Sequence, residues 1–217
     1  MKPVPAPPAL DVLHAGEHAP GCRQAWLKRA ADIVLSAAGL ILLAPLMAAV
    51  AMAVCFQSGR PVIFSQERIG RHGIRFRLYK FRTLPVCPPQ ESDERWDVEP
   101  QDRLSRFLRA TGLDELPQLY NVLRGEMSLV GPRPERPFFA SRFRRELPRY
   151  ALRECALPGL TGWAQVNGLR GDTSIAARLE YDLYYLRHGS LAFDARILWL
   201  TLTGSLRQAA AFVKGKA

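Results

Sequence analysis

A long run of apolar residues, from Ala30 to Phe56, constrains the fold of this chain more than any other feature of its sequence. Asp32 is the only charged residue in the run, which ends at the polar segment Gln57-Ser58-Gly59-Arg60. A straight helix of this length would measure roughly 40 Å, compared with roughly 30 Å for the hydrocarbon layer of a membrane. The alternative is a buried helix of a soluble protein, in which so long an uncharged run is unusual. We therefore predict a segment that enters a lipid bilayer over residues 22–60.

Pro45 lies near the middle of this run and indicates a break in the helix. Proline removes a backbone donor and kinks a helix, so the segment either crosses the bilayer with a bend or enters, turns and leaves on the same side. Basic residues flank both ends, with Lys28 and Arg29 before the run and Arg60 and Arg68 after it. The positive-inside rule therefore names no single cytoplasmic end, and a segment with both ends in the cytoplasm would satisfy it.

The residues between Pro61 and Thr83 have the pattern of a β-hairpin. Apolar and polar residues alternate beside a turn around Gly70-Arg71-His72-Gly73, and a period of two is typical of a half-buried strand. Later segments indicate helices instead: Asp114 to Gly125, with Asp114 as N-cap, then about Thr173 to Gly189, and Leu191 to Val213. The fold class predicted from these elements is α+β and predominantly helical.

The segment from Pro137 to Tyr150 interleaves phenylalanines with arginines. This pattern is typical of an amphipathic helix at a membrane interface, with aromatic rings in the headgroup region and arginines on lipid phosphates. Residues 1–21 are rich in proline and alanine and are predicted to be a flexible extension rather than a signal peptide. The predicted organisation is thus an extension (1–21), a membrane helix (22–60) and a catalytic domain (61–217).

The formal net charge of +10 indicates an anionic partner: nucleic acid, a phosphorylated substrate or the surface of a membrane. Charge alone does not choose among them. The chain has none of the motifs by which proteins read nucleic-acid grooves, so we expect no nucleic-acid partner. Its four cysteines and four histidines have neither CxxC pairs nor metal-ligand spacing, which argues against a zinc site or a disulfide framework.

Two adjacent acids, Asp114 and Glu115, occur at the predicted start of a helix. Free backbone N–H groups and the helix dipole favour negative charge there, so a capping role is the ordinary interpretation. A carboxylate can also attack a phosphoryl group, and Mg²⁺ held by carboxylate and diphosphate oxygens would offset the repulsion between the anions. The sequence therefore leaves open a cap or a catalytic pair that shares Mg²⁺.

Basic residues that could bind phosphate surround this pair in the sequence: Lys80, Arg82, Arg109 and Arg133. Guanidinium groups grip phosphate oxygens in a bidentate fashion, and the Gly131-Pro132-Arg133-Pro134 turn would hold a backbone loop rigid near a ligand. For any one of these arginines a solvated position at the surface is the alternative. Their number around two acids favours a phosphate site.

Several strings of residues, in a consistent order from about Gln24 to Arg207, resemble the bacterial monotopic phosphoglycosyl transferases, the initiating sugar transferases of polysaccharide and glycoprotein pathways. These strings are Lys28-Arg29-Ala30-Ala31-Asp32, Tyr79-Lys80-Phe81-Arg82-Thr83, Leu113-Asp114-Glu115-Leu116-Pro117-Gln118-Leu119, Ser128-Leu129-Val130-Gly131-Pro132-Arg133-Pro134 and Pro158-Gly159-Leu160-Thr161-Gly162-Trp163-Ala164-Gln165-Val166-Asn167-Gly168. Long strings in series are far more specific than one short motif.

The resemblance implies a re-entrant helix broken at Ala44-Pro45, with the catalytic part on the cytosolic face of the bacterial inner membrane. It also implies a covalent route, in which Asp114 attacks the β-phosphate of a uridine diphosphate (UDP) sugar and releases UMP. Polyprenyl (undecaprenyl) phosphate then takes the phosphosugar, and Glu115 assists through Mg²⁺ or a proton.

Further contacts to phosphate, nucleotide or metal follow from the same resemblance. They are Lys80, Arg109, Arg133 and the segment Glu180-Tyr181-Asp182, from which Glu180 and Asp182 are the candidates. Some family members have an arginine directly after Asn167-Gly168, but here Leu169 precedes Arg170, so Arg170 is not assigned a nucleotide contact.

Two other interpretations remain open. Polyprenyl phosphate would attack the nucleotide sugar directly if Asp114 and Glu115 were only Mg²⁺ ligands. A basic, membrane-anchored adaptor without catalysis would explain the charge and the apolar run, but not the paired acids. The motifs do not encode the sugar, because its choice depends on pocket shape. They also leave the oligomeric state open, with a homodimer among the alternatives.

Overall fold

The computed structural model describes residues 22–84, 100, 102–171 and 173–214, so the predicted extension at 1–21 lies outside the described residues. These residues are mostly helical and form two small two-stranded sheets, which confirms the predicted balance of helix and hairpin. The helices are α1 (Cys22–Leu42), α2 (Ala44–Ser58), α3 (Arg103–Thr111), α4 (Gln118–Arg124), α5 (Pro137–Glu146), α6 (Trp163–Val166), α7 (Ile175–His188) and α8 (Leu191–Val213). The strands are β1 (Ile63–Ile69), β2 (Arg75–Phe81), β3 (Ser128–Val130) and β4 (Gly159–Thr161).

The apolar run forms two helices that are bent by 61° where they meet at Leu43. Pro45 lies in the first turn of α2, where the missing N–H breaks no intrahelical hydrogen bond. Within the described ranges no single helix is long and apolar enough to cross a membrane, although the bent pair passes that test by length and composition. The break thus falls next to the predicted Ala44-Pro45 step. Large apolar side chains remain exposed on the pair, among them Trp26, Ile41, Leu42, Leu46, Met52 and Phe56.

Lys28 docks α1 onto the opposite end of the chain. Its ammonium donates to the carboxylate of Asp194 on α8 at 2.6 Å and to the carbonyl of Val130 on β3 at 3.1 Å. Asp194 is 7% exposed and also accepts a hydrogen bond of 2.7 Å from the Tyr185 hydroxyl. The two ends of the fold are therefore joined through one partly buried ion pair.

Arg29 and Asp32 fix the same helix to backbone groups of the central elements. The Arg29 guanidinium donates to the carbonyls of Val122 and Leu123, at 2.7 Å and 2.9 Å, and so caps the last turn of α4. The buried carboxylate of Asp32 accepts from the Leu129 amide at 3.0 Å. Both side chains thus contribute to packing within the protein, a role that the interpretation of Arg29 as a flanking charge and of Asp32 as a charge within the apolar run did not include.

The hairpin is confirmed, with β1 and β2 antiparallel and Lys80 opposite Phe64. The parallel pair of β3 and β4 was not predicted, since three-residue strands are too short to show a period and Gly159 was interpreted as part of a turn. Three glycines make this pair: a Cβ on Gly131, Gly159 or Gly162 would overlap backbone atoms of the crossing segment. The Gly-Pro-Arg-Pro turn thus begins where two backbones touch.

Helix α5 departs from the prediction of aromatic rings in a headgroup region. Phe139 and Phe143 are buried in a core cluster with Tyr150, whereas Phe138 is about half exposed. The prediction is therefore wrong for Phe139 and Phe143, because α7 packs over them and provides apolar contacts within the protein. The predicted last two helices are confirmed, with Ser174 capping α7 through a 3.3 Å bond from the Ala177 amide.

Candidate active site

Asp114 and Glu115 lie in a short 3₁₀ turn, Leu113–Glu115, between α3 and α4. Gly112 adopts a left-handed conformation (φ 75°) that ends α3 and turns the chain into this segment. The prediction of Asp114 as the N-cap of a helix is wrong, because α4 begins only at Gln118 and the turn intervenes. Asp114 is 4% exposed, and such deep burial is rare for a carboxylate. We call this segment the acid turn.

Glu115 is held by Arg133, which approaches from the turn after β3. The two guanidinium nitrogens donate to the two carboxylate oxygens at 2.7 Å and 3.4 Å. Burial acts to raise the pKa of Glu115, but the charge and hydrogen bonds of Arg133 outweigh it and hold that pKa below its usual value. Glu115 is therefore an ionised group that orients Arg133.

Asp114 has the opposite balance. Burial and the negative charge of Glu115 raise the pKa of Asp114 to about 7, against the opposing fields of Lys80, Arg133 and Arg109. Burial likewise lowers the pKa of Lys80 to about 8, although the charge of Asp114 opposes this. The site thus brings together a carboxylate and an ammonium that both titrate near neutral pH, as groups in reactive sites commonly do.

Asn121 sets the position of the acid turn against the strand that carries Lys80. Its side-chain oxygen accepts from the Tyr79 amide at 3.2 Å, and its side-chain nitrogen donates to the Arg77 carbonyl at 2.8 Å and to Glu126 at 2.7 Å. The fully buried amide therefore pairs with β2 as a neighbouring strand would. Since α4 follows directly after the acid turn, this contact fixes the distance between the acids and Lys80.

Asp182 is linked to the site through Arg153. Its buried carboxylate forms an ion pair of 2.7 Å with Arg153, which also donates to the Arg133 carbonyl at 2.8 Å and to the Tyr150 hydroxyl at 2.8 Å. The contact of Asp182 with substrate stays a prediction, and the structure shows that its charge holds Arg153 and, through it, the backbone of Arg133.

Two other predicted residues are placed elsewhere. Arg82 donates to the Ser58 carbonyl and, at 2.7 Å, to the Gly59 carbonyl, and so caps the end of α2. Glu180 pairs with Arg149 at 2.5 Å, with both side chains more than a third exposed. The structure groups neither of them with Asp114, whereas Lys80, Arg109 and Arg133 all act on its charge.

Two arginines of the site were not among the predicted contacts. Arg170 donates to the Gln165 carbonyl at 3.1 Å, and the charges of Arg133 and Glu115 act on its side chain. Arg68 on β1 donates to the Pro134 carbonyl at 3.1 Å. For Arg68 the signal was present in the sequence, because the alternation of the hairpin places it on the same face as Lys80.

Asp114 and Glu115 could bind a metal ion only together with ligands from a substrate. The described residues contain no group of three or more histidine, cysteine, aspartate or glutamate side chains that could hold a metal. Mg²⁺, however, is usually bound by one or two carboxylates together with water and substrate phosphates. Asp114 and Glu115 match that donor set, so this site suits an ion that arrives with a diphosphate.

Comparison with known proteins gives a family and several relatives. Residues 23–208 match the model of the family described as bacterial sugar transferase. The chain is 40% identical to the UDP-glucose:undecaprenyl-phosphate glucose-1-phosphate transferase of Escherichia coli (strain K12), over 93% of this chain and 44% of that protein. It is 38% identical to the UDP-N-acetylgalactosamine-undecaprenyl-phosphate N-acetylgalactosaminephosphotransferase of Aeromonas hydrophila, over 89% of this chain and 47% of that protein.

A shorter relative matches over nearly its whole length. The chain is 38% identical to the exopolysaccharide production protein PSS of Rhizobium leguminosarum bv. phaseoli, over 86% of this chain and 98% of that protein. By contrast, the chain spans less than half of the two transferases from Escherichia coli and Aeromonas hydrophila.

Proposed function

The chain belongs to the bacterial sugar transferase family, and we propose that it transfers hexose 1-phosphate from a UDP-sugar to polyprenyl (undecaprenyl) phosphate. The main support is the buried Asp114, whose carboxylate interacts electrostatically with Lys80 and adjoins the ion pair of Glu115 with Arg133. Relatives at about 40% identity are named for this type of reaction. The reaction would be the initiating step of polysaccharide or glycoconjugate synthesis.

The proposed chemistry has two displacements at one phosphorus atom. A carboxylate oxygen of Asp114 attacks the β-phosphorus of the UDP-sugar, and the bond from that phosphorus to the bridging oxygen breaks, so UMP leaves with the electron pair. A phosphate oxygen of the polyprenyl phosphate then attacks the aspartyl-phosphosugar. The Asp114 carboxylate is restored and the sugar is left on a polyprenyl diphosphate.

The side chains around Asp114 support these steps by charge and position. Lys80 and Arg133 would bind the phosphate oxygens, which concentrates positive charge where negative charge develops. Glu115 holds the Arg133 fork in one orientation, and Asp182 holds its backbone through Arg153. Mg²⁺ bound by Asp114, Glu115 and the diphosphate would supply further positive charge to the leaving phosphate.

We also propose that the α1–α2 pair is re-entrant in the bacterial inner membrane, with the catalytic domain on the cytosolic face. Both ends of the pair are fastened to that same domain, by Lys28 and Arg29 near the start of α1 and by Arg82 at the end of α2. The exposed apolar side chains lie between these two attachments. A segment that begins and ends on one folded body returns to the side from which it entered.

Cysteine labelling tests this topology. In a variant whose native cysteines are replaced, Ala25→Cys and Gln57→Cys should both react with a membrane-impermeant maleimide from the cytosolic side only. Labelling of the two positions from opposite sides would show a spanning segment instead. The homodimer stays a prediction, to be checked by the mass of the protein particle in detergent.

Intact mass spectrometry tests the reaction. The full chain in detergent is incubated with Mg²⁺ and a panel of UDP-sugars that includes UDP-glucose and UDP-N-acetylgalactosamine, and is compared with Asp114→Asn. We expect a hexose-phosphate adduct on the wild type alone. UMP release that needs polyprenyl phosphate, without any adduct, would favour direct displacement. No reaction with any sugar would favour a non-catalytic membrane adaptor.

A further inference from the structure

Arg68 shares one face of the hairpin with Lys80. Directly opposite residues of an antiparallel pair lie on the same face, and here Arg68 is opposite Phe76 and Lys80 is opposite Phe64. The two cations are close enough for the charge of Arg68 to act on Lys80. The site therefore has a cation from β1, Arg68, in addition to Lys80 from β2 and Arg133 from the turn after β3.

The head of Arg68 is only partly used by its contacts. One guanidinium nitrogen donates to the Pro134 carbonyl at 3.1 Å, and another donates to the Gln66 side chain at 2.9 Å. Its Nε is buried and has no hydrogen-bond partner among the described residues. A guanidinium carries five N–H donors, so these contacts leave it able to bind a further acceptor.

The charge of Arg68 is also not balanced within the described part of the chain. The carboxylates that act most strongly on its charge are Glu135 and Glu115. Glu135 is in an ion pair with Arg178 at 3.3 Å, and Glu115 is in an ion pair with Arg133 at 2.7 Å. Arg68 makes no ion pair of its own there, and a half-buried cation without a counter-charge loses hydration that no protein anion replaces.

Like charges add to this imbalance. Arg133 and Arg136 both act on Arg68, and together with burial they lower the pKa of its guanidinium to about 10. An anion bound between Arg68, Lys80 and Arg133 would relieve the repulsion among the three cations.

We infer that Arg68 is a further binding residue of this site, and that it contacts a phosphate oxygen of the UDP-sugar diphosphate together with Lys80 and Arg133. The inference rests on the proposed function, because it takes its ligand from there. The competing role is structural: Arg68 would only hold the Arg133 turn through the Pro134 carbonyl. If Arg68 binds phosphate, its replacement should weaken the binding of ligands that carry phosphate and leave the binding of uridine unchanged. A purely structural role predicts no such difference.

The test compares Arg68→Gln with Arg75→Gln, a matched variant on the same hairpin whose arginine is 63% exposed in its side chain. The melting temperature of the full chain in detergent is measured with Mg²⁺ and increasing UDP, pyrophosphate or uridine, since a ligand that binds the folded state raises it. We expect Arg68→Gln to lower the affinity for UDP and for pyrophosphate by about 10- to 100-fold, because the variant loses a hydrogen bond between charged groups. Uridine, which has no phosphate, should bind both variants alike.

The outcomes separate this inference from the proposed function. UDP that binds Arg68→Gln and Arg75→Gln equally well would reduce Arg68 to a packing residue and leave the proposed function intact. If pyrophosphate raises the melting temperature in a way that depends on Arg68, but UDP does not raise that of the wild type, the site binds anions and the proposed function is contradicted. A wild type that responds to no probe would count against both. Arg68→Lys, which keeps the charge but not the fork, should recover part of the affinity.

Discussion

Arg133 donates to both carboxylate oxygens of Glu115 from a position 18 residues further along the chain. This pairing joins the acid turn to the turn after β3, and it keeps Glu115 ionised despite its burial. The pKa of Glu115 is lowered and that of its neighbour Asp114 is raised to about 7. Burial acts to raise the pKa of both acids, but only Glu115 is hydrogen-bonded to Arg133, so the adjacent acids of one turn differ in protonation behaviour.

Arg133→Ala should destabilise the protein most at neutral pH. A carboxyl whose folded pKa is depressed contributes stability above its unfolded pKa, about 4.3, and loses it as the pH falls. The difference from wild type should be roughly 1 kcal/mol at pH 7, reduced by the 38% exposure of the Arg133 side chain, and should shrink towards pH 4. Urea unfolding at several pH values measures it. Arg75→Ala, which removes an exposed pair, should show a smaller and flatter effect.

Asp114→Asn should stabilise the protein in alkaline, Mg²⁺-free buffer. The folded pKa of Asp114 is raised to about 7, so the folded state binds more protons than the unfolded state between about pH 4 and pH 7, and stability falls across that window. Asparagine does not ionise and so avoids this loss, which should raise the free energy of unfolding above pH 7 by something on the order of 2–4 kcal/mol. A gain that is the same at pH 4 and at pH 8 would contradict the raised pKa.

Arg82→Gln should lower stability without changing the affinity for UDP. The buried Arg82 guanidinium caps the Ser58 and Gly59 carbonyls, and its loss leaves those acceptors without their charged donor, at a cost of about 1–3 kcal/mol. Thermal melting with and without UDP separates the two effects. Arg60→Gln, at an exposed neighbouring position, is the control and should leave both quantities unchanged.

Gly131→Ala should prevent normal folding, whereas Gly204→Ala should be tolerated. A Cβ at Gly131 would overlap the Leu157 carbonyl and the Gly159 amide, which are backbone atoms that cannot turn aside. Gly204 lies within α8 with open space around it, and alanine there should stabilise the helix by up to about 1 kcal/mol. Yield and melting temperature compare them, and equal behaviour would mean that the crossing of the two backbones is looser than described.

Lys28→Met should destabilise the protein by about 3–5 kcal/mol, because it leaves the buried carboxylate of Asp194 without its cation. The double variant Lys28→Met with Asp194→Asn should recover most of that loss, since no uncompensated charge then remains. Chemical denaturation of the single and double variants checks both statements. Arg142→Ala, in an exposed pair with Glu146, should cost no more than about 1 kcal/mol.

Local pattern predicted much of this fold. The hairpin, the break beside Pro45 and helices α7 and α8 each extend over enough residues to show a period or a boundary signal. β3 and β4 were missed because each has three residues, and their pairing depends on a crossing of distant glycines that no local pattern encodes. The start of α4 was misplaced because the acids resembled a cap, while the left-handed Gly112 that shapes the turn was overlooked.

Recognisable strings in the sequence pointed to residues that the structure groups around Asp114, but they did not reveal the long-range contacts of other side chains. Lys80, Arg109 and Arg133 do act on Asp114. Arg82 and Asp182 occur in equally recognisable strings, yet one caps α2 and the other holds Arg153. A sequence motif does not distinguish residues that form the site from residues that hold the fold. Only the three-dimensional arrangement separates these two roles.

The bond between Lys28 and Asp194 joins residues that are 166 positions apart, and this separation bears on how the protein is made. At about 5–20 residues per second, a ribosome needs roughly 10–30 s to add the intervening chain. Throughout that interval the apolar helices α1 and α2 are already synthesised, while the carboxylate that secures their base is not. The exposed apolar side chains of α1 and α2 therefore emerge well before α8, the helix whose carboxylate pairs with Lys28.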